Sequence, residues 1–276
     1  MSVMARADDF GDRMKAYEAV ETDRALPGAL PIYARIDGRS FSTFTRSMRR
    51  PFDERMTAAM VGTARHLVKA THARIGYVQS DEISLTWLFD APESEPLFGG
   101  KAHKLTSVLA SLAAAAFQYE LRQAFDEADA AVLCCALPHF DARVFSLPSK
   151  TEAANAFLWR AMDARKNAVS MAARSQFSAK ALHGKDQSAM RAMLADKGVD
   201  FDAAYPVNFR RGTWVRRVTL DRAFAGDELA RIPEAHRPTP GTLVTRSDVR
   251  EIDMPEFNRV TNREAVIFDG AEPVLV

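Results

Sequence analysis

The stretch Pro31-Ile32-Tyr33-Ala34-Arg35-Ile36-Asp37-Gly38 alternates in character and then ends on an acid and a glycine, the pattern of a strand running out into a loop. Pro51 opens the next segment, in which Met56, Met60, Ala64 and Leu67 recur at helical spacing until about His72. Ile75 to Phe89 reads as a hairpin, because Ile83, Leu85, Trp87 and Phe89 alternate after the polar turn Gln79-Ser80-Asp81-Glu82. From Lys104 to Phe125 a long helix carries Leu105, Val108, Leu109, Leu112 and Ala116 on one stripe, with Lys104, Ser107 and Ser111 beside it. His139 to Leu147 alternates again, Phe140, Ala142 and Val144 opposing Asp141, Arg143 and Phe145, until Pro148 stops it. The order β-α-β-β-α-β predicts an α+β fold whose four-stranded antiparallel sheet carries two helices on one face, the split βαβ arrangement.

Working outward, a helix is expected over Gly11–Thr22, and beyond Pro148 a long helix from Thr151 to about Arg174. Then come the polar stretch Ser178–Gln187, a short helix to Ala195 and an extended segment over Gly212–Leu220. Proline and charge between Arg231 and Arg250 predict an exposed excursion, and Ala265–Phe268 a terminal strand. Residues 1–149 are thus read as the core, and 150–276 as helical and C-terminal additions packed on the same unit.

Composition bounds the partners. At 276 residues and 47% hydrophobic the chain can bury a sizeable core, and 37 basic against 36 acidic residues exclude a uniformly basic nucleic-acid coat. The two cysteines, Cys134 and Cys135, are adjacent, so neither a disulfide framework nor a four-ligand zinc site arises from them; they read as small hydrophobes in a strand. No run approaches the roughly eighteen apolar residues of a membrane span, and the N-terminal residues carry no signal-like apolar segment. A soluble protein in the reducing cytoplasm, with no membrane partner, is expected. The six histidines lack HExxH spacing, no GxSxG elbow occurs, and Met190 and Met193 read as packing residues.

The sharpest chemical feature joins Asp37, at the exit of the first strand, to Asp81 and Glu82 in the hairpin turn. The split βαβ order makes the first and third strands central neighbours, so these carboxylates converge at one sheet end. Converging carboxylates repel unless a cation joins them, and oxygen-only ligands select Mg²⁺ over Zn²⁺; a pair of such ions organises in-line attack at phosphorus. Solvated strand caps remain the other reading of these acids. Gly38-Arg39-Ser40-Phe41-Ser42 offers either an anion-binding nest for a triphosphate or an ordinary turn. Lys104 and Ser107 add phosphate contacts if their helix start faces the same site, and otherwise belong to a solvated face.

Taken together, Ala34-Arg35-Ile36-Asp37-Gly38-Arg39-Ser40-Phe41 and Tyr77-Val78-Gln79-Ser80-Asp81-Glu82 resemble the paired signatures of the tRNA(His) guanylyltransferase family. Lys104-Leu105-Thr106-Ser107-Val108, Phe140-Asp141-Ala142-Arg143-Val144, Trp159-Arg160 with Asp163, Ala195-Asp196-Lys197-Gly198 and Phe209-Arg210-Arg211-Gly212-Thr213 continue the resemblance in order, over roughly residues 30–220. It implies a polymerase-palm-like domain that adds nucleotides to the 5′ end of RNA in the 3′–5′ direction. It places metal ligation on Asp37, Asp81 and the Gly38 carbonyl, with Glu82 in support. Nucleotide contacts fall on Arg39, Ser40, Phe41, Ser42 and Ser80, with Lys104, Ser107 and Lys101 steadying triphosphates. It also implies two Mg²⁺ ions, ATP and GTP or other nucleoside triphosphates as substrates, tRNA as partner, and a homotetramer or dimer.

Eukaryotic members carry His-Ile-Asn-Asn-Leu-Tyr-Asn where this chain reads Arg165-Lys166-Asn167-Ala168-Val169-Ser170-Met171. Ala173-Arg174-Ser175-Gln176-Phe177-Ser178 with Leu182-His183-Gly184-Lys185 instead resembles the bacterial-type members, associated with template-directed repair of truncated tRNA 5′ ends. Addition of G at position −1 of tRNA(His) is the alternative activity. A palm-like nucleotidyl cyclase and a non-catalytic RRM-type RNA-binding module are remoter alternatives sharing the strand order. The densest basic stretch, Lys180, His183, Lys185, Arg191, Lys197, Arg210, Arg211, Arg216 and Arg217, reads as an RNA-holding surface or as plain solvated edges; Lys185, Lys197, Arg210 and Arg211 are the candidate RNA contacts.

Overall fold

In chain order the computed structural model, which describes residues 9–90, 94–239 and 241–276, begins with α1 (Asp9–Thr22), β1 (Ile32–Gly38), α2 (Phe41–Phe44) and α3 (Glu54–Thr71). Next come β2 (Ile75–Gln79), β3 (Glu82–Trp87), α4 (Ala102–Ala124), α5 (Glu127–Cys135), β4 (Phe140–Ser146) and α6 (Lys150–Gln176). Then follow α7 (Ala179–Leu182), α8 (Gln187–Asp196), α9 (Phe201–Ala204), α10 (Val207–Arg211), β5 (Thr213–Ala223), α11 (Gly226–Arg231) and β6 (Leu243–Ile252). The N-terminal residues read above for a signal segment lie partly outside the described range.

Alternation along β1 divides the core into two layers. Ile32, Ala34 and Ile36 face α3 and α4, packing among Met60, Leu67, Leu109 and Phe117. Tyr33 faces the other way, onto Phe157 of α6 and the Tyr77–Trp214–Phe257 cluster. A third, smaller cluster joins Val169 and Ala172 of α6 to Leu194 and Phe201. The strand order is β4-β1-β3-β2-β5-β6, antiparallel throughout. Its first four strands are the expected split βαβ sheet, with β1 and β3 central.

The sheet extends further than the sequence suggested. β6 occupies part of the expected excursion and pairs with β5 from Trp214↔Ile252 to Ala223↔Leu243. Only Val249 is buried along it; a solvated antiparallel edge strand can be polar enough to look like loop. Ala265–Asp269 is not a strand but a π-helical turn that buries Val266, Ile267 and Phe268. A short apolar run does not distinguish the two. The cysteine pair lies on α5 rather than in a strand: Asp126 caps that helix by accepting from the Asp129 N–H, leaving Cys134 buried and Cys135 exposed. On α4 the fully buried stripe is Leu105, Leu109, Ala113, Ala116, Phe117 and Leu121, with Val108 and Leu112 at its rim. Asp37 and Gly38 are the last residues of β1, as expected of a strand that ends on this acid and glycine. Among the described residues no helix is long and apolar enough to cross a membrane.

Candidate active site

Register across the sheet builds the site. On the α6 face Asp37 is the cross-strand partner of both Asp141 and Glu82, and Glu82 in turn faces Gln79, so three carboxylates stand in one row at the sheet end. The next row inward is Arg143, Arg35, Ser84 and Tyr77. An acidic row is therefore backed by a pair of guanidinium groups. Asp81 joins from the β2–β3 turn, where Ser80 adopts φ 49°, and the Gly38 N–H donates to the Asp81 carbonyl at 3.0 Å. That bond ties the end of β1 to the turn.

Burial pushes the Asp37 carboxyl up to about 6, with Asp81, Glu82 and Asp141 adding to the shift and Arg35 opposing it. Burial likewise raises Asp81. Both effects disfavour the charged carboxylates, and a cation beside them would reverse both. Glu82 is differently placed. It accepts from Arg160 Nε at 2.7 Å and Gln79 Nε2 at 3.1 Å, and Arg35 Nε stands 3.9 Å away. Arg160 is itself buried, donates to Asp163 at 2.9 Å and packs its guanidinium 4.5 Å from the Trp159 ring centroid. Trp159, Arg160 and Asp163 thus form a brace from α6 onto the hairpin, and Glu82 is occupied in it.

The loop after β1 is shaped by one aromatic. Phe41 wedges among Phe44, Phe117 and Phe140, and a Cβ on Gly38 would lie 2.5 Å from its ring. Only glycine fits there. Ser40 takes φ 59° to turn the chain into α2, whose first N–H groups have no intrahelical acceptor. Beside this loop and the Ser80-Asp81 turn lies a cavity of about 350 Å³ enclosed by residues 41–57, α6 and α10. Phe41, Ser42, Ser80 and Asp81 line it together with Arg49 and Arg174. Neither of those arginines has an ionic partner among the described residues. In a cavity of this size, next to two cation-seeking carboxylates, apolar walls and free guanidinium groups suit a phosphorylated nucleoside.

The structure does not bring Lys104 and Ser107 to this place. Phe117 of α4 touches Phe41 and Phe140 at the Asp37 end, whereas Lys104 stands thirteen residues earlier, about 20 Å back along the helix. There Lys104 lies over Phe98 and Ser107 donates to the Lys104 carbonyl; Lys101 pairs with Asp23 at 2.8 Å. Much of the basic stretch is also engaged within the chain. Arg191 and Arg210 share Asp202, Lys197 donates to the Gln176 carbonyl, Arg216 pairs with Glu272, and Arg217 donates to the Val68 and Lys69 carbonyls. Lys180, His183 and Lys185 remain exposed. Conversely, Asp141, Arg35, Arg143, Arg49 and Arg174 join the site without having been singled out. Asp141 and Arg143 occupy the outward positions of an alternating strand, and only the β1–β4 register reveals what they face.

Among the described residues no three His, Cys, Asp or Glu side chains form a metal cage by themselves. Two carboxylates plus a main-chain carbonyl and a nucleotide's own phosphates are a donor set that suits Mg²⁺, which takes few protein ligands. The residues present therefore fit the ion.

Comparison with known proteins gives a consistent picture. The family model for tRNAHis guanylyltransferase matches residues 11–148. A bacterial tRNA(His) guanylyltransferase (Thg1)-like protein solved in complex with ATP is 33% identical, with 75% of this chain and 88% of that one covered and a TM-score of 0.69. One solved in complex with GTP is 28% identical over 91% of this chain and 94% of that one, again with a TM-score of 0.69. The tRNA(His) guanylyltransferase of Saccharomyces cerevisiae, 22% identical over 72% of this chain and 91% of its own, shares the fold at a TM-score of 0.62. Uncharacterized protein R259 of Acanthamoeba polyphaga mimivirus is 31% identical over 179 residues, 59% of this chain, and the match spans 61% of that relative's length.

Proposed function

Because the chain belongs to the tRNAHis guanylyltransferase family, we propose that it is a tRNA 5′-end nucleotidyltransferase that adds nucleotides in the 3′–5′ direction and repairs truncated 5′ ends against the opposite strand. The observation that carries this is the convergence of Asp37 and Asp81 beside a nucleotide-sized cavity, while Glu82 is held aside by Arg160. Asp37, Asp81 and the Gly38 carbonyl would hold Mg²⁺. Bound there, the ions supply charge neutralisation for the phosphates and acidify an attacking hydroxyl.

The chain's own residues do the rest. Arg39 and the backbone from Ser40 to Ser42 meet the triphosphate, Ser80 supports Asp81, and the apolar wall of Phe52 and Met56 receives the base. In a first step an oxygen of the RNA 5′-monophosphate attacks the α-phosphorus of ATP or GTP and pyrophosphate leaves. In a second, the 3′-hydroxyl of the incoming nucleotide attacks the RNA phosphorus of that diphosphate link and the nucleoside monophosphate leaves. Guanidinium groups at Arg35 and Arg143 stabilise charge building on the phosphates. Pairing to the opposite RNA strand selects the nucleotide. Residues 150–276 supply RNA contacts and the interface of a cytoplasmic homo-oligomer, a dimer or tetramer.

Repair is favoured over addition of G at −1 because segment 165–171 departs from the eukaryotic pattern and the bacterial Thg1-like structures, at 33% and 28% identity, are nearer to this chain than the yeast enzyme at 22%. Family membership leaves the cyclase and binding-module readings without support. The test supplies Mg²⁺, ATP and all four nucleoside triphosphates to a 5′-monophosphorylated tRNA lacking its first nucleotide, beside the same tRNA at full length, with 5′ ends resolved to single nucleotides. Restoration of the missing nucleotide according to the opposing base, abolished by Asp37→Ala and Asp81→Ala, is expected. Extension of full-length tRNA(His) alone would replace repair by guanylate addition, and no 5′ extension of any tRNA would overturn the assignment.

A further inference from the structure

Two of the cavities beside α6 lie along its middle and C-terminal turns. Asn167 and Met171 line the one beside Asp81, whereas Met162, Arg165 and Lys166 line a second, of about 250 Å³, closed by Arg211, Trp214 and residues 255–258. α10 stands between them, with Asn208 and Phe209 on the first and Arg211 at its C-terminal end on the second. The second cavity belongs to none of the machinery described above.

Its chemistry is cationic over an aromatic floor. Of its three cations, Arg165 is matched by Glu256, Nη1 to Oε2 at 3.0 Å. Lys166 and Arg211 have no ionic partner among the described residues. The Arg211 Nε is buried and lacks a hydrogen-bond acceptor, although the backbone of that residue is pinned by Tyr77, whose hydroxyl donates to the Arg211 carbonyl at 2.9 Å. The Nε itself is shut off from solvent, but the residue is only half-buried and its guanidinium carries no charge partner among the described residues, so an anionic oxygen is what its outer N–H groups take. The floor is the Trp214–Phe257 pair, ring centroids 4.6 Å apart, and Met162 extends it outward to the rim, 49% exposed. Gln187 and Asn258 bring amide groups to the same space.

We propose that this cavity holds one nucleotide of the RNA substrate, its phosphate on Arg211 and Lys166 and its base against Met162 and the aromatic floor. A phosphodiester carries a single charge, which Lys166 and Arg211 together more than offset; a free triphosphate brings several, more than these two cations offset, since Arg165 is already matched by Glu256. The volume also falls short of what encloses a whole nucleoside triphosphate. Stacking and phosphate contact together recognise any nucleotide, so the cavity contributes affinity and register rather than sequence choice. The inference rests on the reading of tRNA as substrate.

The test uses the full-length protein and three probes: 5′-monophosphorylated tRNA lacking its first nucleotide, GMP and ATP. Lys166→Ala combined with Arg211→Gln is expected to weaken tRNA binding at least tenfold and to lower the slope of log K against log salt by about one for each cation removed. ATP affinity should stay within twofold of the parent protein. Because Lys166 is exposed, Lys166→Glu decides the matter by itself if the Arg211 variant does not fold, with a weakening of fivefold or more expected. Unchanged tRNA affinity in the variants would overturn the proposal, as would a parallel fall in ATP affinity, or GMP binding that the double variant abolishes. If the parent protein binds tRNA through these residues yet extends no 5′ end, the proposed function falls and this site stands. If it binds no tRNA, both fall.

Discussion

Replacing Arg160 by methionine removes the brace that holds the hairpin carboxylate. Glu82 and Arg160 have side chains 8% and 9% exposed and meet at 2.7 Å, so the substitution leaves a buried carboxylate without its principal partner. Breaking such a pair typically costs about 3–5 kcal/mol. The low end applies here, about 3 kcal/mol, because Gln79 still donates at 3.1 Å and Arg35 stands at 3.9 Å. For a chain of this size that corresponds to a fall of roughly 6–12 °C in Tm. Urea titration of Arg160→Met, Glu82→Gln and the double variant forms a cycle; the double variant strands no charge and should be more stable than the sum of single losses predicts by at least about 1.5 kcal/mol. The Arg160 variant should also lose 5′-end activity, since an unpaired Glu82 adds negative charge beside Asp37. A loss below about 1 kcal/mol, or strict additivity across the cycle, would refute the brace.

Gly38→Ala should cost about 1–3 kcal/mol and most of the activity, since the new methyl meets a Phe41 ring that three other aromatics hold in place; a variant that melts like the parent would show that the ring moves. Asp37→Asn, by contrast, should abolish activity while raising the urea midpoint in the absence of divalent cations, because it removes a half-buried charge repelled by three neighbouring carboxylates. Added Mg²⁺ should stabilise the parent protein and not this variant; equal stabilisation of both would place the ion elsewhere. Asp53 is 4% exposed and caps α3, and its carboxyl is held at about 2, chiefly by the Arg55 side chain and then by the Arg49 and Arg55 N–H groups, against burial. Its folded-state value is depressed, so its stabilisation is present above the ordinary carboxylate range and lost as pH falls from about 4 through 2. Asp53→Asn should therefore be about 2 kcal/mol less stable than the parent at pH 7 and nearly equal to it at pH 2, and a difference independent of pH would argue against the ion pair.

Local chemistry made much of this molecule legible from its residues. Alternation along Ile32–Ile36 and Ile83–Trp87, helical spacing around Met60 and Leu109, and the polar turn at Ser80-Asp81 depend on neighbours a few residues apart, so they marked the strands, the helices and the two aspartates that converge. The C-terminal additions were less readable: β6 buries a single side chain, so its amphipathic signal is faint, and the apolar runs at Ala130–Cys135 and Val266–Phe268 satisfy a helix, a strand or a turn alike. What only the tertiary structure decided depends on register and on where long elements carry their ends. The cross-strand pairing of β1 with β4 placed Asp141 beside Asp37, and α6 crossing the sheet delivered Arg160 to a carboxylate 78 residues earlier. The length of α4 carried Lys104 about 20 Å back along the helix from the Asp37 end despite its place in the motif order. Charge positions are written in the sequence, but whether two charges meet is set by strand pairing and helix direction, which no local pattern encodes.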